Sequence, residues 1–120
     1  MSIIAFDMDD VLCYRTSEEG TVERYYSCKP IPEMIEIANQ CYDQGHQVVV
    51  YTARGMTIFT GDVKKIYSNM YELTKGQLDE WGVKYHQLIM GKAHYDILID
   101  DKAINSEEIK SVDDIEDFLG

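Results

Sequence analysis

Three short runs of apolar, largely β-branched residues restrict the fold of this sequence more than any other feature. They occupy residues 3–6, 48–51 and 97–99, and a weaker fourth run covers residues 85–90. None of the three alternates apolar with polar residues, which is typical of central strands in a parallel sheet covered on both faces. The runs therefore predict a parallel sheet inside a layered α/β domain.

Helical patterns lie between these runs. Helices are expected to begin at Pro32, after Asp62, at a capping box of Thr74 and Gln77, and at a second capping box of Ser111 and Asp114. The first is expected to close at Gly45, and the short third helix at Gly82. Strands that alternate with helices predict one domain over residues 1–120, with a doubly wound, mainly parallel sheet and helices on both faces.

Each predicted strand runs into polar residues. These are Asp7, Asp9 and Asp10 after the first run, Thr52, Ala53 and Arg54 after the second, Asp100 and Asp101 after the third, and Lys92 after the weaker fourth. The carboxyl ends of parallel strands share one edge, where ligands bind in such sheets. We therefore expect these side chains to converge although they are scattered along the chain.

A site with several acids, a hydroxyl and a lysine suits phosphoryl transfer. A carboxylate and a phosphate monoester are both anionic and repel each other unless a cation lies between them, and Mg²⁺ prefers such oxygen ligands. Lys92 and Thr52 are expected to neutralise and hydrogen-bond the transferring group. One acid then attacks phosphorus, and a second protonates the leaving group and later activates water.

The same residues carry a resemblance to the haloacid-dehalogenase-like hydrolases. Residues 4–12, IAFDMDDVL, resemble the first motif of that superfamily, an apolar strand followed by D-x-D. Residues 49–54, VVYTAR, resemble the second motif. Lys92, followed eight residues later by Asp100 and Asp101, resembles the third and fourth motifs. All four motifs occur in order, each after an apolar run.

The resemblance implies a role for each matching residue. Asp7 would be the nucleophile, and Asp9 would be the general acid and base. Thr52 and Lys92 would bind the phosphoryl group. The metal ligands would be Asp7, the backbone carbonyl of Asp9, Asp100, and Asp101 directly or through water. An acid at position 9 is typical of the phosphatases and phosphotransferases in this superfamily.

Some assignments leave alternatives open. Lys102 and Arg54 are rivals of Lys92 for the positive charge that faces the phosphate. Ala53 and Arg54 are expected to lie at the substrate, where an arginine suits bidentate binding of an anion. A solvated loop arginine fits the pattern of Arg54 equally well.

The sequence leaves no room for the folded cap domain that often sets selectivity in this superfamily. Residues 12–29 suffice for a flap or hairpin over the site, and residues 55–74 for at most one extra helix. Similar capless members act on large substrates or assemble into oligomers. We therefore expect a homo-oligomer, a dimer or tetramer, with these two segments near its interface. The aromatic and apolar residues of the two segments that are expected there are Tyr14, Tyr25, Tyr26, Ile58, Phe59, Ile66 and Met70.

Composition excludes several other classes of protein. The net charge of −11 opposes nucleic-acid binding. No stretch reaches the ~18 apolar residues of a membrane helix, and the N-terminal residues do not have the pattern of a signal peptide. Three cysteines without a C-x-x-C pair indicate reduced thiols in a cytoplasmic protein.

The substrate is the least constrained expectation. The resemblance extends to small bacterial or phage proteins associated with capsule and polysaccharide metabolism, which implies a small phosphorylated substrate such as a sugar phosphate. Two other functions stay open. One is a catalytically idle, acidic binding or regulatory module of the same fold, and the other is a phosphotransferase with an acceptor other than water.

Overall fold

A computed structural model describes residues 1–17 and 22–120 and has an α/β architecture. Its parallel sheet consists of β1 (Ile3–Phe6), β4 (Gln47–Thr52) and β5 (Gln87–Met90), in the order β1-β4-β5. A small antiparallel hairpin consists of β2 (Cys13–Tyr14) and β3 (Lys29–Pro30). The helices are α1 (Glu23–Tyr26), α2 (Pro32–Asp43), α3 (Val63–Glu80) and α4 (Val112–Leu119), with a 3₁₀ turn at Ser106–Glu108.

The register of the sheet brings the ends of its strands together. Phe6 pairs with Val50 and Thr52 pairs with Met90, so the chain leaves β1, β4 and β5 at the same edge. β4 is the middle strand, and its Val48 and Val50 are fully buried. The predicted α/β class and parallel sheet are confirmed, and the strand register explains why the residues that follow the strands meet.

The predicted helix starts hold, with one exception. Pro32 begins α2, which packs against β4, and Asp62 caps α3 by accepting a hydrogen bond from the Lys65 backbone N–H at 3.2 Å. The capping box before α4 is present, because the Asp114 carboxylate accepts the Ser111 backbone N–H at 3.1 Å. These caps satisfy N–H groups that a helix cannot pair internally.

The separate helix predicted from Thr74 does not exist. α3 continues without interruption from Val63 to Glu80. Thr74 and Gln77 are buried in the middle of this helix, and both side chains contact Arg54. The S/T-x-x-E/Q pattern was therefore misread, because these polar residues serve a tertiary contact and not a helix start.

The third apolar run was wrongly predicted to be a central strand. Residues 97–99 have no regular secondary structure, and Ile97, Leu98 and Ile99 are 76%, 49% and 90% exposed. Within the described parts of the chain, the sheet has three strands, with β1 at one edge. A run of β-branched residues reports a preference for extended structure, whereas strand formation also needs a partner along its length. The doubly wound arrangement stays a prediction.

The segment after β1 forms the predicted hairpin. β2 and β3 pair through Cys13 with Pro30 and Tyr14 with Lys29, and α1 lies between them. Residues 18–21, which lie between β2 and α1 in the sequence, are outside the described residues. We call residues 12–29 the flap.

Several residues that were expected at an oligomer interface pack within their own chain. Tyr25, Ile66 and Met70 belong to the buried core, and Ile58 and Phe59 pack partly against it. Tyr14 and Tyr26 remain exposed.

No helix in residues 1–17 and 22–120 combines the length and the hydropathy that crossing a membrane requires.

Candidate active site

Asp7 and Lys92 meet at the shared edge of the sheet. The Lys92 Nζ donates to Asp7 Oδ2 at 3.2 Å, and the backbone N–H of Met8 donates to Asp7 Oδ1 at 2.8 Å. The Lys92 backbone N–H also donates to the carbonyl oxygen of Thr52 at 3.1 Å. Three strand ends are thus linked directly, and the convergence expected from the sequence is observed for these residues.

Two tyrosine rings flank the Lys92 ammonium group. Its Nζ lies 5.8 Å from the ring centre of Tyr51 and 5.3 Å from that of Tyr95. Partial burial disfavours the charged lysine, but the hydrogen bond with Tyr95 and the charge of Asp7 outweigh it and raise the pKa of Lys92. Lys92 is therefore a cation at neutral pH, beside a carboxylate.

Thr52 is buried at the end of β4 and turns its hydroxyl into the following loop. Its Oγ1 accepts the backbone N–H of Arg54 at 3.1 Å and leaves the hydroxyl proton available to another acceptor. Thr52 and Ala53 both line the cavity described below.

Arg54 is fully buried and binds Asp9. Its Nε lies 3.0 Å from Asp9 Oδ2 and 3.2 Å from Oδ1, and its Nη2 lies 3.1 Å from Oδ1. Its Nη1 donates to Gln77 Oε1 at 2.6 Å and to Thr74 Oγ1 at 3.3 Å. Burial alone would lower the pKa of Arg54, but the charge and hydrogen bonds of Asp9 raise it. The donors of Arg54 are engaged by the protein in this conformation, and the expectation that Arg54 binds substrate stays a prediction.

Two thiols complete the surroundings of Asp9. Cys13 Sγ donates to Asp9 Oδ1 at 3.4 Å, and Cys28 Sγ does so at 3.8 Å. Burial is the main cause that raises the pKa of both thiols, so both stay protonated. The two sulfurs and one Asp9 oxygen lie within 4.8 Å of one another. This group does not suit Mg²⁺, because sulfur is a soft ligand and the Arg54 cation already faces it.

The structure does not bring Asp100 and Asp101 to this site. Both are exposed and lie in the irregular segment that follows residues 97–99. The Lys102 backbone N–H donates to Asp100 Oδ1 at 2.9 Å and is the main cause that lowers the pKa of Asp100. Because the predicted third strand is not formed, the two acids are not placed at the edge of the sheet. Lys102, the rival of Lys92, is also exposed.

A cavity of about 160 Å³ lies at the strand ends, beside Asp7 and Asp9. Its wall on the flap side consists of Arg15, Arg24 and Tyr25, and Thr57 and His94 also line it. Sequence reasoning missed both arginines. A signal existed, since the chain has only three arginines and two of them fall in the segment that was expected to cover the site.

A larger depression of about 420 Å³ lies beside α2 and Trp81, and no predicted site residue lines it. The predicted site residues that line the smaller cavity are Asp7, Asp9, Thr52, Ala53 and Arg54, and Lys92 contacts Asp7 beside it.

Comparison with known proteins supports the fold. No protein-family model and no curated protein matches the sequence. A crystal structure of a structural-genomics target from Vibrio cholerae is similar to this chain, with a TM-score of 0.85 and 26% sequence identity. The likeness covers 99% of this chain and 97% of that one, so it extends over the whole α/β architecture. The name of that protein states no activity.

Proposed function

We propose that this protein is a phosphohydrolase that transfers the phosphoryl group of a phosphate monoester to Asp7 and then to water. The observation that carries the proposal is the contact of Asp7 with Lys92, beside Thr52, at the edge where three parallel strands end. A nucleophile, a cation and a hydroxyl donor are then available to one phosphoryl group.

In the first step an Asp7 carboxylate oxygen attacks phosphorus, and the bond from phosphorus to the leaving oxygen breaks. Lys92 neutralises charge on the phosphoryl oxygens, and the Thr52 hydroxyl proton is directed to one of them. In the second step water attacks the phosphorus of the aspartyl-phosphate, which releases phosphate and restores Asp7. The contact of Asp7 Oδ2 with the Lys92 ammonium group orients the nucleophile before substrate arrives.

Asp9 is proposed to protonate the leaving oxygen and then to take a proton from the attacking water. In the observed conformation both of its oxygens accept hydrogen bonds from Arg54. Asp9 must therefore release at least one of these bonds before it can donate a proton. Arg54 is proposed to hold Asp9 away from the reaction until substrate fills the cavity.

Mg²⁺ is the cofactor that we propose for this site. Mg²⁺ is commonly bound by one or two carboxylates together with substrate phosphate and several waters. Asp7 is partly exposed and offers a hard oxygen ligand, and the backbone carbonyl of Asp9 is the second candidate. The bound cation would offset the repulsion between Asp7 and the phosphate. The Asp9 carboxylate is engaged by Arg54, and Asp100 and Asp101 lie outside the cavity.

These residues also support membership of the haloacid-dehalogenase-like superfamily, with a doubly wound, capless domain. The supporting features are D-x-D after β1, a threonine at the end of β4 and a lysine after β5. A cytoplasmic enzyme with a small sugar phosphate as substrate, and a dimer or tetramer in solution, belong to the same proposal.

The proposal is tested by a screen of phosphate esters with purified protein, with Mg²⁺ and with excess chelator. We expect release of phosphate that requires Mg²⁺ and is lost in Asp7→Asn. Lys29→Gln is a suitable control, because Lys29 is an exposed lysine outside the cavity. Transfer to an added alcohol in place of water would identify a phosphotransferase. Absence of turnover on every ester, with phosphate binding retained, would favour the idle module.

A further inference from the structure

Two of the three cysteines of this chain lie on the flap against Asp9, and the third, Cys41, lies in α2. We propose that the Asp9 carboxylate and the thiols of Cys13 and Cys28 form a binding site for one Zn²⁺ ion. The site uses the carboxylate of Asp9, whereas the ligand proposed above for Mg²⁺ is the backbone carbonyl of that residue. The zinc site therefore does not depend on the proposed function.

The pairing of the flap strands places the two thiols side by side. Cys13 begins β2 and pairs with Pro30 of β3, and Cys28 directly precedes β3. Asp9 lies in the turn after β1, and both sulfurs and one Asp9 oxygen lie within 4.8 Å of one another. Thiolates and a carboxylate are ligands that Zn²⁺ accepts in proteins, and soft thiolates select it over Mg²⁺.

The distances from the carboxylate to the two sulfurs match those of a tetrahedral zinc centre. Zn–S bonds of about 2.3 Å and Zn–O bonds of about 2.0 Å, at tetrahedral angles, separate oxygen from sulfur by about 3.5 Å. Asp9 Oδ1 lies 3.4 Å from Cys13 Sγ and 3.8 Å from Cys28 Sγ. Each thiol donates to this oxygen, so a cation that replaces both protons meets ligands that are already assembled.

Arg54 completes the charge balance of the occupied site. A thiol that coordinates a metal ion loses its proton, and here both protons pass to water. The two thiolates and the Asp9 carboxylate then carry three negative charges, which Zn²⁺ and the Arg54 guanidinium neutralise. Arg54 Nη2 lies 3.1 Å from Asp9 Oδ1 and 3.6 Å from Cys13 Sγ, so it donates to two of the three ligands. Hydrogen bonds of this kind orient the ligands of metal sites.

The cavity at the strand ends gives a cation access to these ligands. Asp9 lines the cavity and its side chain is 18% exposed, although Cys13 is fully buried. Three protein ligands leave the fourth position of a tetrahedral zinc ion to water, which the cavity can supply. Bound Zn²⁺ would also hold the Asp9 carboxylate in place and so inhibit turnover. This consequence alone rests on the proposed function, in which Asp9 is the general acid and base.

The site is tested with Co²⁺ as the probe, because thiolate ligands give Co²⁺ an intense charge-transfer band in the near ultraviolet. The reduced, metal-free protein is titrated with Co²⁺, without and with excess Mg²⁺, and Zn²⁺ is added last. The same titration is made with Cys13→Ala, Cys28→Ala, Asp9→Asn and the control Cys41→Ala. Cys41 is a matched control because it is also a buried, free cysteine but lies in α2.

We expect a band in the wild-type protein that saturates at one Co²⁺ per chain, persists in excess Mg²⁺ and disappears when Zn²⁺ replaces Co²⁺. Cys13→Ala, Cys28→Ala and Asp9→Asn should each weaken Co²⁺ binding about tenfold or more, since loss of even an outer contact costs about 10–100-fold in metal affinity. Cys41→Ala should bind as the wild-type protein does. If Cys13→Ala fails to fold in a melting experiment, Cys28→Ser provides the same comparison, because serine is close in shape to cysteine.

Absence of the band in the wild-type protein would overturn the site and leave the two thiols as hydrogen-bond donors to Asp9. A band that is unchanged in both Cys13→Ala and Cys28→Ala would overturn it equally, and so would a band that is lost only in Cys41→Ala.

Turnover separates this result from the proposed function. Phosphate release from an ester is measured at constant Mg²⁺ with and without Zn²⁺, and the ratio of the two rates is compared between proteins. We expect Zn²⁺ to inhibit the wild-type protein and Cys41→Ala, and to inhibit Cys28→Ala less. A thiolate band without hydrolysis of any ester would keep the zinc site and remove the hydrolase. Hydrolysis without a thiolate band would keep the hydrolase and remove the zinc site.

Discussion

Arg54 and Asp9 form a buried ion pair in which the Arg54 Nε lies 3.0 Å from Asp9 Oδ2 and 3.2 Å from Oδ1. The pair joins the loop after β4 to the turn after β1, and Gln77 extends it to α3. Gln77 also donates to the Tyr25 carbonyl oxygen at 2.7 Å, which ties the flap to the same network. Arg54 is therefore both a structural link and the partner of the proposed acid and base.

Loss of the Arg54 guanidinium should destabilise the fold strongly. Removal of one partner from a buried ion pair leaves an uncompensated charge and costs about 3–5 kcal/mol. We expect Arg54→Met to lower the free energy of unfolding on that scale, measured by urea denaturation. Lys75→Met is the matched control, because Lys75 pairs with Asp79 at 2.7 Å on the solvent-exposed face of α3 and should change little. Equal effects of the two substitutions would contradict the buried network.

Lys92 and Lys102 should differ sharply in their effect on turnover. Lys92 contacts Asp7, whereas Lys102 is exposed and outside the cavity. Removal of one group that stabilises transition-state charge costs roughly 10²–10³ in kcat. We expect Lys92→Met to lose activity on this scale and Lys102→Met to retain it, in steady-state assays of one phosphate ester. A larger loss of activity in Lys102→Met than in Lys92→Met would show that Lys102, and not Lys92, binds the phosphoryl group.

Mg²⁺ should raise the melting temperature of the wild-type protein. A ligand that binds only the folded state stabilises it by RT ln(1 + [L]/Kd), or ~2.7 kcal/mol at a hundredfold excess over Kd. We expect Asp7→Asn to lose this shift, because Asp7 is the carboxylate proposed to hold the cation. Asp100→Asn should keep the shift, because Asp100 is exposed and lies outside the cavity. A shift lost in Asp100→Asn alone would place the cation elsewhere.

Cys41 should make the fold less stable at alkaline pH. Burial in α2 is the main cause that raises the pKa of the Cys41 thiol from 9.0 to about 11. The unfolded chain therefore loses this proton at a lower pH than the folded protein does, so the contribution to stability is constant below pH 9 and declines as pH rises from 9 towards 11. Cys41→Ala should flatten the decline in urea midpoint across that range. An unchanged slope would show that other groups cause it.

Local patterns predicted the parts of the fold that local physics determines. Pro32 at a first helical position, Asp62 as a cap and the Ser111–Asp114 capping box each act within one turn of chain, and all were found. β1 and β4 were recognised from their apolar runs. Burial on both faces accounts for the run in β4, but β1 lies at the edge of the sheet and its Ile3 and Ala5 are exposed.

Tertiary partners account for what the sequence did not predict. Thr74 and Gln77 match the sequence pattern of a helix start, but in the fold both side chains accept hydrogen bonds from Arg54. Residues 97–99 have the composition of a strand without a partner, and their exposure removes Asp100 from the predicted site. The site residues that follow formed strands were brought together. Arg24 was missed because no local motif marks it, although residues 12–29 were expected to cover the site.

The most direct measurement of the central claim is chemical trapping of the phosphorylated protein. The protein is mixed with a phosphate ester and Mg²⁺, quenched within one turnover and treated with borohydride, which reduces an acyl phosphate on aspartate to homoserine. Peptide mass spectrometry then locates the modified residue, with Asp9→Asn used to slow the second step. We predict homoserine at position 7 and none in Asp7→Asn. Turnover without homoserine at position 7, or homoserine at another aspartate, would contradict the assignment of Asp7 as the nucleophile.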